Sequence, residues 1–221
     1  MLQQALDFRD ESDALHALLE PLGDEDLERS TQFKDWTLSD VVGHLHLWNW
    51  AADLSLRDST AFQDWFSGIV DEVMIGGLRN YEIRWLDGRG GRSLVEEWHG
   101  FYQEVAERFT AADPRQRVKW AGPDMSVRSS ITARLMETWA HGQEVYDLLG
   151  VERENGDRIR NIAQLGINTF NWTFNCRGEE PPGPPPRVTL VAPSGATWEW
   201  HEDNSTDHVR GSATEFCQVV T

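Results

Sequence analysis

The sequence predicts a mainly α-helical protein with a small β-containing tail. Apolar residues recur every three or four positions through most of the first 175 residues, and the composition then changes at a proline-rich stretch, EEPPGPPPR. The first pattern is typical of helices that bury one face. With 221 residues the chain can form one large domain, or one domain plus a small appendage.

Six helices are expected before the proline-rich stretch. Each is an apolar-periodic segment, and the stops are glycines and a proline, as at Gly23, Pro114 and Gly150. Thr37 and Ser39 are N-cap candidates for the second helix. The predicted segments are residues 2–22, 37–56, 60–86, 93–109, 127–149 and 157–175.

The C-terminal part has a different character. Residues 179–187 are too rich in proline for a helix or a sheet interior, so they predict a short, stiff linker. Beyond them, VTLVAP and ATWEWH flank Ser194-Gly195, a pattern typical of a β-hairpin. The expected organisation is a helical, metal-binding body over residues 1–178, the linker, and a small α/β unit over 188–221.

Charge and composition exclude several classes of function. The chain has 37 acidic and 20 basic residues, a formal net charge of -17, which repels nucleic acid and anionic membranes. The N-terminus has no basic segment followed by an apolar stretch, and no apolar run is long enough to span a bilayer. The two cysteines have no metal-ligand spacing, which suits a reducing compartment. We therefore expect a cytoplasmic protein with small-molecule partners.

A histidine and a glutamate on one predicted helix are the strongest indication of chemistry. Glu137 and His141 are four residues apart, so they share one helix face and lie about 6 Å apart along its axis. His44, on the apolar stripe of another helix, is the candidate for a third ligand. Two imidazoles and one carboxylate leave coordination positions open, as catalytic metal sites do. Glu144 is a candidate either for orienting the ring of His141 or for a solvated surface charge.

Each of these residues also has a simpler interpretation. His44 could be a hydrogen-bonded core histidine, and Glu137 with His141 could be a surface pair, with Arg134 as an ordinary ion-pair partner. His46 lies about 200° around the helix from His44, so only one of the two is expected to face inward. Surface or structural roles are expected for the remaining histidines, His16, His99, His201 and His208. Pocket-lining roles are considered for Trp48 and Trp139.

Two segments resemble a known family. WTLSDVVGHLHLW resembles a motif of the DinB-like superfamily, and GPDMSVRSSITARLMETWAHGQEVYDLLG resembles the ligand-bearing helix of its mycothiol-dependent maleylpyruvate isomerase branch. The match covers most of the first 175 residues. It implies an up-and-down four-helix bundle with a long crossover, and a divalent metal held by His44, Glu137 and His141. It also implies mycothiol as cosubstrate and an actinobacterial-type host.

The tail, RVTLVAPSGATWEW followed by VRGSATEFCQVV, is similar to the small α/β C-terminal domain of that branch. In the family this domain continues further and supplies an arginine to the active site. The resemblance therefore leaves open whether residues 188–221 make up all of that domain.

The functional expectation is a metal-dependent, mycothiol-using S-transferase or cis–trans isomerase that acts on a small electrophilic, carboxylated substrate. The alternatives are a metal-dependent hydrolase or lyase that uses activated water, and a non-catalytic binding module. Zinc is the favoured metal, and nickel, manganese or iron suit the same ligands. Arg79 and Arg84 are candidates either for anion anchors or for solvated surface charges. A monomer and a homodimer are both consistent with the sequence.

Overall fold

The structure, a computed structural model, describes residues 1–221 and divides them into two compact units, Met1–Glu152 and Arg153–Thr221. None of the helices combines the length and the apolar character that a bilayer-spanning segment needs. The helices are α1 (Gln3–Leu19), α2 (Asp24–Leu27), α3 (Leu38–Arg57), α4 (Ser59–Gly76), α5 (Leu78–Leu86), α6 (Gly91–Ala111), α7 (Val127–Leu149), α8 (Arg160–Asn168), α9 (Phe170–Cys176) and α10 (Ala213–Val220). The strands are β1 (Arg117–Val118), β2 (Met125–Ser126), β3 (Arg187–Val191), β4 (Thr197–Trp200) and β5 (His208–Ser212).

The first unit is a four-helix bundle of α1, α3, α6 and α7. Helix α1 packs against α6 and α7, and α3 packs against the same two helices. Helices α4 and α5 form the long connection from α3 to α6, and α5 packs back onto α3. The predicted mainly helical fold, with a four-helix bundle and a crossover, is confirmed.

Large apolar side chains fill the centre of the bundle. The fully buried ones include Phe8, Leu45, Trp98 and Leu135, one from each of the four helices. Burying a side chain of this size contributes about 1.5–3 kcal/mol before entropy is counted. The apolar periodicity of the sequence therefore marks the faces that meet in this core.

Two of the predicted helices are interrupted. The segment expected over 60–86 is split into α4 and α5 at Gly77, whose φ of 82° a helix cannot accommodate. The segment expected over 157–175 begins with a 3₁₀ turn, Asp157–Ile159, and is divided at Thr169 into α8 and α9. The short helix α2 and the two-residue strands β1 and β2 were not predicted, because elements of that length have no measurable periodicity.

The second unit contains a three-stranded sheet in the order β4-β3-β5. Strands β3 and β4 form the predicted antiparallel hairpin, with Gly195 in the turn at a φ of 85°. Strand β5 runs parallel to β3, and α10 follows it directly. The small α/β character expected of the tail is thus confirmed.

The division between the units falls earlier than the sequence predicted. Residues 153–178, which were assigned to the helical body, belong to the second unit. Helix α8 packs against α10 so closely that a Cβ at Gly166 would lie 2.7 Å from Cγ2 of Val220. The Sγ atom of Cys217 lies 3.5 Å from the carbonyl oxygen of Ile159. Periodicity identifies these helices but carries no information about which unit they pack against.

Candidate metal centre

The structure brings together the three residues that the sequence singled out. Nε2 of His44, on α3, and Nε2 of His141, on α7, each lie 3.3 Å from the same atom, Oε2 of Glu137. One ligand atom from each residue lies within 4.8 Å of the other two. The side chain of His44 is buried, while those of Glu137 and His141 are 27% and 17% exposed. The cluster is therefore reachable from one side.

Local sequence fixes the start of α3 and its approach to α5. Thr37 accepts a hydrogen bond from the Asp40 amide at 3.1 Å, and the Asp40 carboxylate accepts one from the Thr37 amide at 3.0 Å. This capping box begins α3 two turns before His44. Next to His44, a Cβ at Gly43 would lie 2.6 Å from Cδ1 of Leu86. A glycine at this position lets α5 pack against the histidine.

A second carboxylate stands behind His44. Nδ1 of His44 donates to Oε1 of Glu82, on α5, at 2.7 Å, and Nε1 of Trp48 donates to the same oxygen at 3.2 Å. Glu82 is buried, with 1% of its surface exposed. A carboxylate that accepts from the distal ring nitrogen is the usual outer-shell partner of a metal-binding histidine, because it fixes the tautomer and the ring orientation.

Sequence reasoning missed Glu82. Its one sequence signal is its position four residues before Leu86, which puts Glu82 on the same, buried face of the helix. That pattern indicates a buried carboxylate but not its partner, which lies 38 residues earlier in the chain.

The electrostatics tie the cluster together. Burial disfavours the charged form of His44, but hydrogen bonds to Glu137 and Glu82 outweigh it and raise the pKa of His44 above its usual value. Burial would raise the pKa of Glu137, yet hydrogen bonds from His141 and His44, with the charge of Arg134, hold that pKa well below the usual range. A carboxylate held ionised between two imidazoles favours a cation between them.

Aromatic rings border the cluster. The ring of Trp36 stacks on that of His141, with 5.6 Å between centroids and 10° between planes, and it lies 5.3 Å from the ring of His44. Phe33 packs edge-on to His141 at 5.4 Å. Both aromatic residues lie in the turn before α3, where Lys34 and Asp35 have left-handed backbone angles. This turn therefore contributes an apolar wall.

The two tryptophans considered for pocket lining lie in different places. Trp48 lies beside the cluster, bonded to Glu82, and its ring is 5.7 Å from that of Trp120. Trp139 is 2% exposed and belongs to the hydrophobic core. Two positions along a helix correspond to about 200°, which turns Trp139 away from both ligands on its own helix.

The remaining candidates lie outside the cluster. Arg79 forms an ion pair with Asp40 and lies 5.6 Å from the centre of the Trp36 ring. Arg84 pairs with Glu72 and is 53% exposed, which fits the surface-charge interpretation. Glu144 makes no hydrogen bond to His141, so its expected orienting role is not seen.

The prediction that only one histidine of α3 faces inward is wrong. His46 is 4% exposed, and its Nε2 lies 3.3 Å from Oε1 of Glu97, on α6. Its ring packs against Trp85 and Phe101. Helix α3 is covered on several sides, by α6, α7, α4 and α5, so the side opposite His44 is enclosed as well.

The donor set fits a divalent transition metal. Two imidazole nitrogens converge on one carboxylate oxygen, and a further carboxylate supports one of the rings. Imidazole and carboxylate ligands suit zinc, nickel, manganese and iron. Three protein ligands also leave positions for water or a thiol, unlike closed structural sites.

Comparison with known proteins places this cluster in a family context. The model of the mycothiol maleylpyruvate isomerase N-terminal domain matches residues 8–146. Uncharacterized proteins of two Mycobacterium tuberculosis strains are each 34% identical over 215 residues, which covers 97% of this chain and 83% of each relative. These matches span most of the chain.

Two solved structures share the fold. The crystal structure of the mycothiol-dependent maleylpyruvate isomerase has a TM-score of 0.64 at 14% identity, over 99% of this chain and 87% of that one. A histidine-to-alanine mutant of that isomerase gives 0.61 at 13% identity, with the same coverage. These structures show a shared fold, and the match over residues 8–146, more than half of the chain, establishes that the chain belongs to the mycothiol maleylpyruvate isomerase N-terminal domain family.

Proposed function

We propose that this protein is a metal-dependent enzyme that uses mycothiol to isomerise, or to conjugate, a small electrophilic, carboxylated substrate. The observation that carries the proposal is the convergence of His44, Glu137 and His141, with Glu82 behind the first of them. Family membership supports mycothiol as the thiol.

In this proposal the metal is held by Nε2 of His44, Nε2 of His141 and the carboxylate of Glu137. Zinc is favoured, and nickel, manganese and iron share the same preference for these ligands. When bound there, a divalent ion would supply the charge that lowers the pKa of a thiol, so that the thiolate would be present at neutral pH.

The residues of the chain then have separate tasks. Glu82 holds the proton on Nδ1 of His44, which leaves Nε2 free to act as a ligand. Trp48 keeps Glu82 in place through its indole N–H. Trp36 and Phe33 pack against His141, which limits its rotation and keeps water from that side of the ring. The open side is left for the thiol and the substrate.

The reaction follows from thiolate chemistry. The thiolate adds to a carbon–carbon double bond conjugated with a carbonyl, so a C–S bond forms and the π electron pair moves to the carbonyl oxygen. The former double bond can now rotate. Return of the electron pair expels the thiolate and gives the other geometric isomer. If carbon instead takes up the proton that the thiol released, sulfur is retained and the product is the S-conjugate. Neither route needs an oxidant or a reductant.

A thermal-shift titration with mycothiol tests the proposal on zinc-loaded protein. Mycothiol at about 100 times its dissociation constant should stabilise the protein by about 2.7 kcal/mol, a rise of roughly 5–10 °C in Tm. Glu137→Gln, which weakens the carboxylate ligand, should abolish this rise. His46→Gln is the control, because His46 is buried beside a glutamate on α3 but lies outside the cluster, and it should respond like the unaltered protein.

Two outcomes would contradict the proposal. Bound metal without any response to mycothiol would favour a hydrolase or lyase that uses activated water. Failure of every preparation to bind a metal, even after reconstitution, would favour a non-catalytic binding module.

A further inference from the structure

Arg134 is a buried arginine, and two of its three guanidinium nitrogens have no hydrogen-bond partner. It lies on α7, one turn before Glu137, and only 4% of it is exposed. Its Nε and Nη1 have no partner, and Nη2 lies 3.9 Å from Oε1 of Glu137, beyond hydrogen-bond distance. A guanidinium with three of its five N–H donors, those on Nε and Nη1, lacking a partner therefore lies beside the candidate metal centre.

The surroundings offset this buried charge only in part. The guanidinium carbon lies 5.3 Å from the centre of the Trp120 ring, a favourable cation–π contact that forms no hydrogen bond. Glu137 directs Oε2 to two histidines, so its charge is shared among three groups. Removing an ionised group from water without hydrogen-bonded partners is among the costliest arrangements in a protein. An anionic ligand with two acceptor oxygens would satisfy the donors that the protein leaves unpaired.

We propose that Arg134 anchors a carboxylate of the substrate and so determines the substrate class of this site. The inference rests on the proposed function, since it places an anion next to the proposed metal ligands. The planar fork of a guanidinium matches the two oxygens of a carboxylate and binds them in parallel. Recognition of this kind would reject an otherwise identical neutral compound.

The spacing along α7 also limits the size of the substrate. Arg134 and Glu137 are three positions apart, and Nη2 of Arg134 lies 3.9 Å from Oε1 of Glu137. A carboxylate held by Arg134 is therefore a few bonds from a carbon placed beside the cluster. This distance suits a short unsaturated acid whose carboxylate lies close to the reacting double bond.

The other arginine near the cluster is a weaker candidate. Arg79 packs over Trp36, but it already has an ion pair with Asp40 and its side chain is 31% exposed. Mycothiol carries hydroxyl, amide and thiol groups rather than a carboxylate. The anion that pairs with Arg134 would therefore belong to the electrophilic substrate.

Calorimetric binding of maleate and of its neutral diamide, to the zinc-loaded full chain, tests the anchor. The variants are Arg134→Met, which removes the charge at similar length, and Arg134→Lys, which keeps the charge but loses the fork. We expect Arg134→Met to weaken maleate binding roughly tenfold or more, with a smaller loss in Arg134→Lys. Binding of the diamide should not change, and Arg79→Met, the matched control, should bind maleate as the unaltered protein does.

Two further measurements separate anchoring from a structural role. The zinc content of Arg134→Met should equal that of the unaltered protein. Its ligand-free unfolding temperature should be equal or higher, because an unsatisfied buried charge has been removed. Loss of zinc together with maleate binding, or a clear drop in Tm, would overturn the proposal and leave Arg134 as a support for Glu137.

Maleate binding to Arg134→Met with unchanged affinity would also overturn the proposal, because the anion would then be held by the metal alone. Failure of the proposed function looks different. Binding of maleate that depends on Arg134, without any stabilisation by mycothiol, would support the carboxylate anchor and contradict the thiol chemistry.

Discussion

Helix α3 carries two histidines with similar immediate surroundings. His44 and His46 are 7% and 4% exposed, and Nε2 of each lies 3.3 Å from a glutamate oxygen. A histidine on an apolar helix, buried and beside a carboxylate, could therefore be either a ligand or a core residue. The difference lies in what each glutamate and each second ring nitrogen contacts.

At His44 several groups that could bind or support a metal lie close together. Its glutamate also contacts a second histidine, and its Nδ1 donates to the buried Glu82. At His46 the carboxylate of Glu97 is 44% exposed and accepts a hydrogen bond from Arg89 at 2.9 Å, while Nδ1 of His46 has no partner. Burial alone thus does not distinguish a candidate metal ligand from a core histidine. The distinguishing features of His44 are a carboxylate oxygen shared with a second histidine and a hydrogen-bonded Nδ1.

Replacing each histidine of α3 in turn should have the largest effect. His44→Gln should lower zinc affinity roughly 100-fold or more, above the 10–100-fold typical of outer-shell changes, because a proposed ligand is lost. His46→Gln should leave zinc affinity unchanged. Competition titration against a chelator of known affinity measures both. Equal losses in the two variants would show that burial on α3, not convergence, controls metal binding.

The sequence predicted the fold and the three clustered residues, for physical reasons. Helical periodicity records which faces are buried, and a four-residue spacing places Glu137 and His141 on one face whatever else packs nearby. His44 was a weaker candidate, because a third ligand comes from another helix. Its selection depended on the apolar stripe and on the family resemblance.

Three features of the site depend on tertiary packing and could not be predicted from the sequence. Glu82 supports His44 because α5 folds back onto α3 at Gly43, a contact that no local pattern encodes. Arg134 has the spacing of an ordinary ion pair with Glu137, yet it is buried and 3.9 Å away. His46 is enclosed because α5 and α6 pack against α3 at this position. Each of these features depends on the neighbours of a helix rather than on the helix itself.

A smaller effect on zinc affinity is expected from replacing the glutamates that contact the two histidines of α3. Glu82→Gln keeps the size of the side chain but weakens the acceptor for Nδ1 of His44, so zinc affinity should fall about 10–100-fold. Glu97→Gln is the matched change beside His46 and should have no effect on zinc affinity. The same chelator competition measures both variants. An unchanged affinity in Glu82→Gln would mean that packing alone orients His44.

The smallest expected effect is a change in the pH dependence of stability, and it concerns His16 and His99. Neither ring has a carboxylate as a hydrogen-bond acceptor. The rings of His16 and His99 stack with 3.9 Å between centroids. Burial lowers the pKa of His16 below its usual 6.5, and the charge of His99 lowers it further, against the opposing charges of Glu20 and Asp13. This direction is opposite to that of His44, whose two carboxylates raise its pKa.

The sign of the pH effect follows from the lowered pKa of His16. The folded protein binds this proton less readily than the unfolded chain, so the stabilisation is complete above about pH 6.5 and is lost as the pH falls through the lower folded pKa. His16→Gln should therefore reduce the loss of stability between about pH 7.5 and about pH 5.5, measured as the shift in the urea midpoint. The exposed His201→Gln is the control and should show the full loss. An acid sensitivity equal in both variants would contradict this prediction, because it would show that the stacked pair does not oppose protonation of His16.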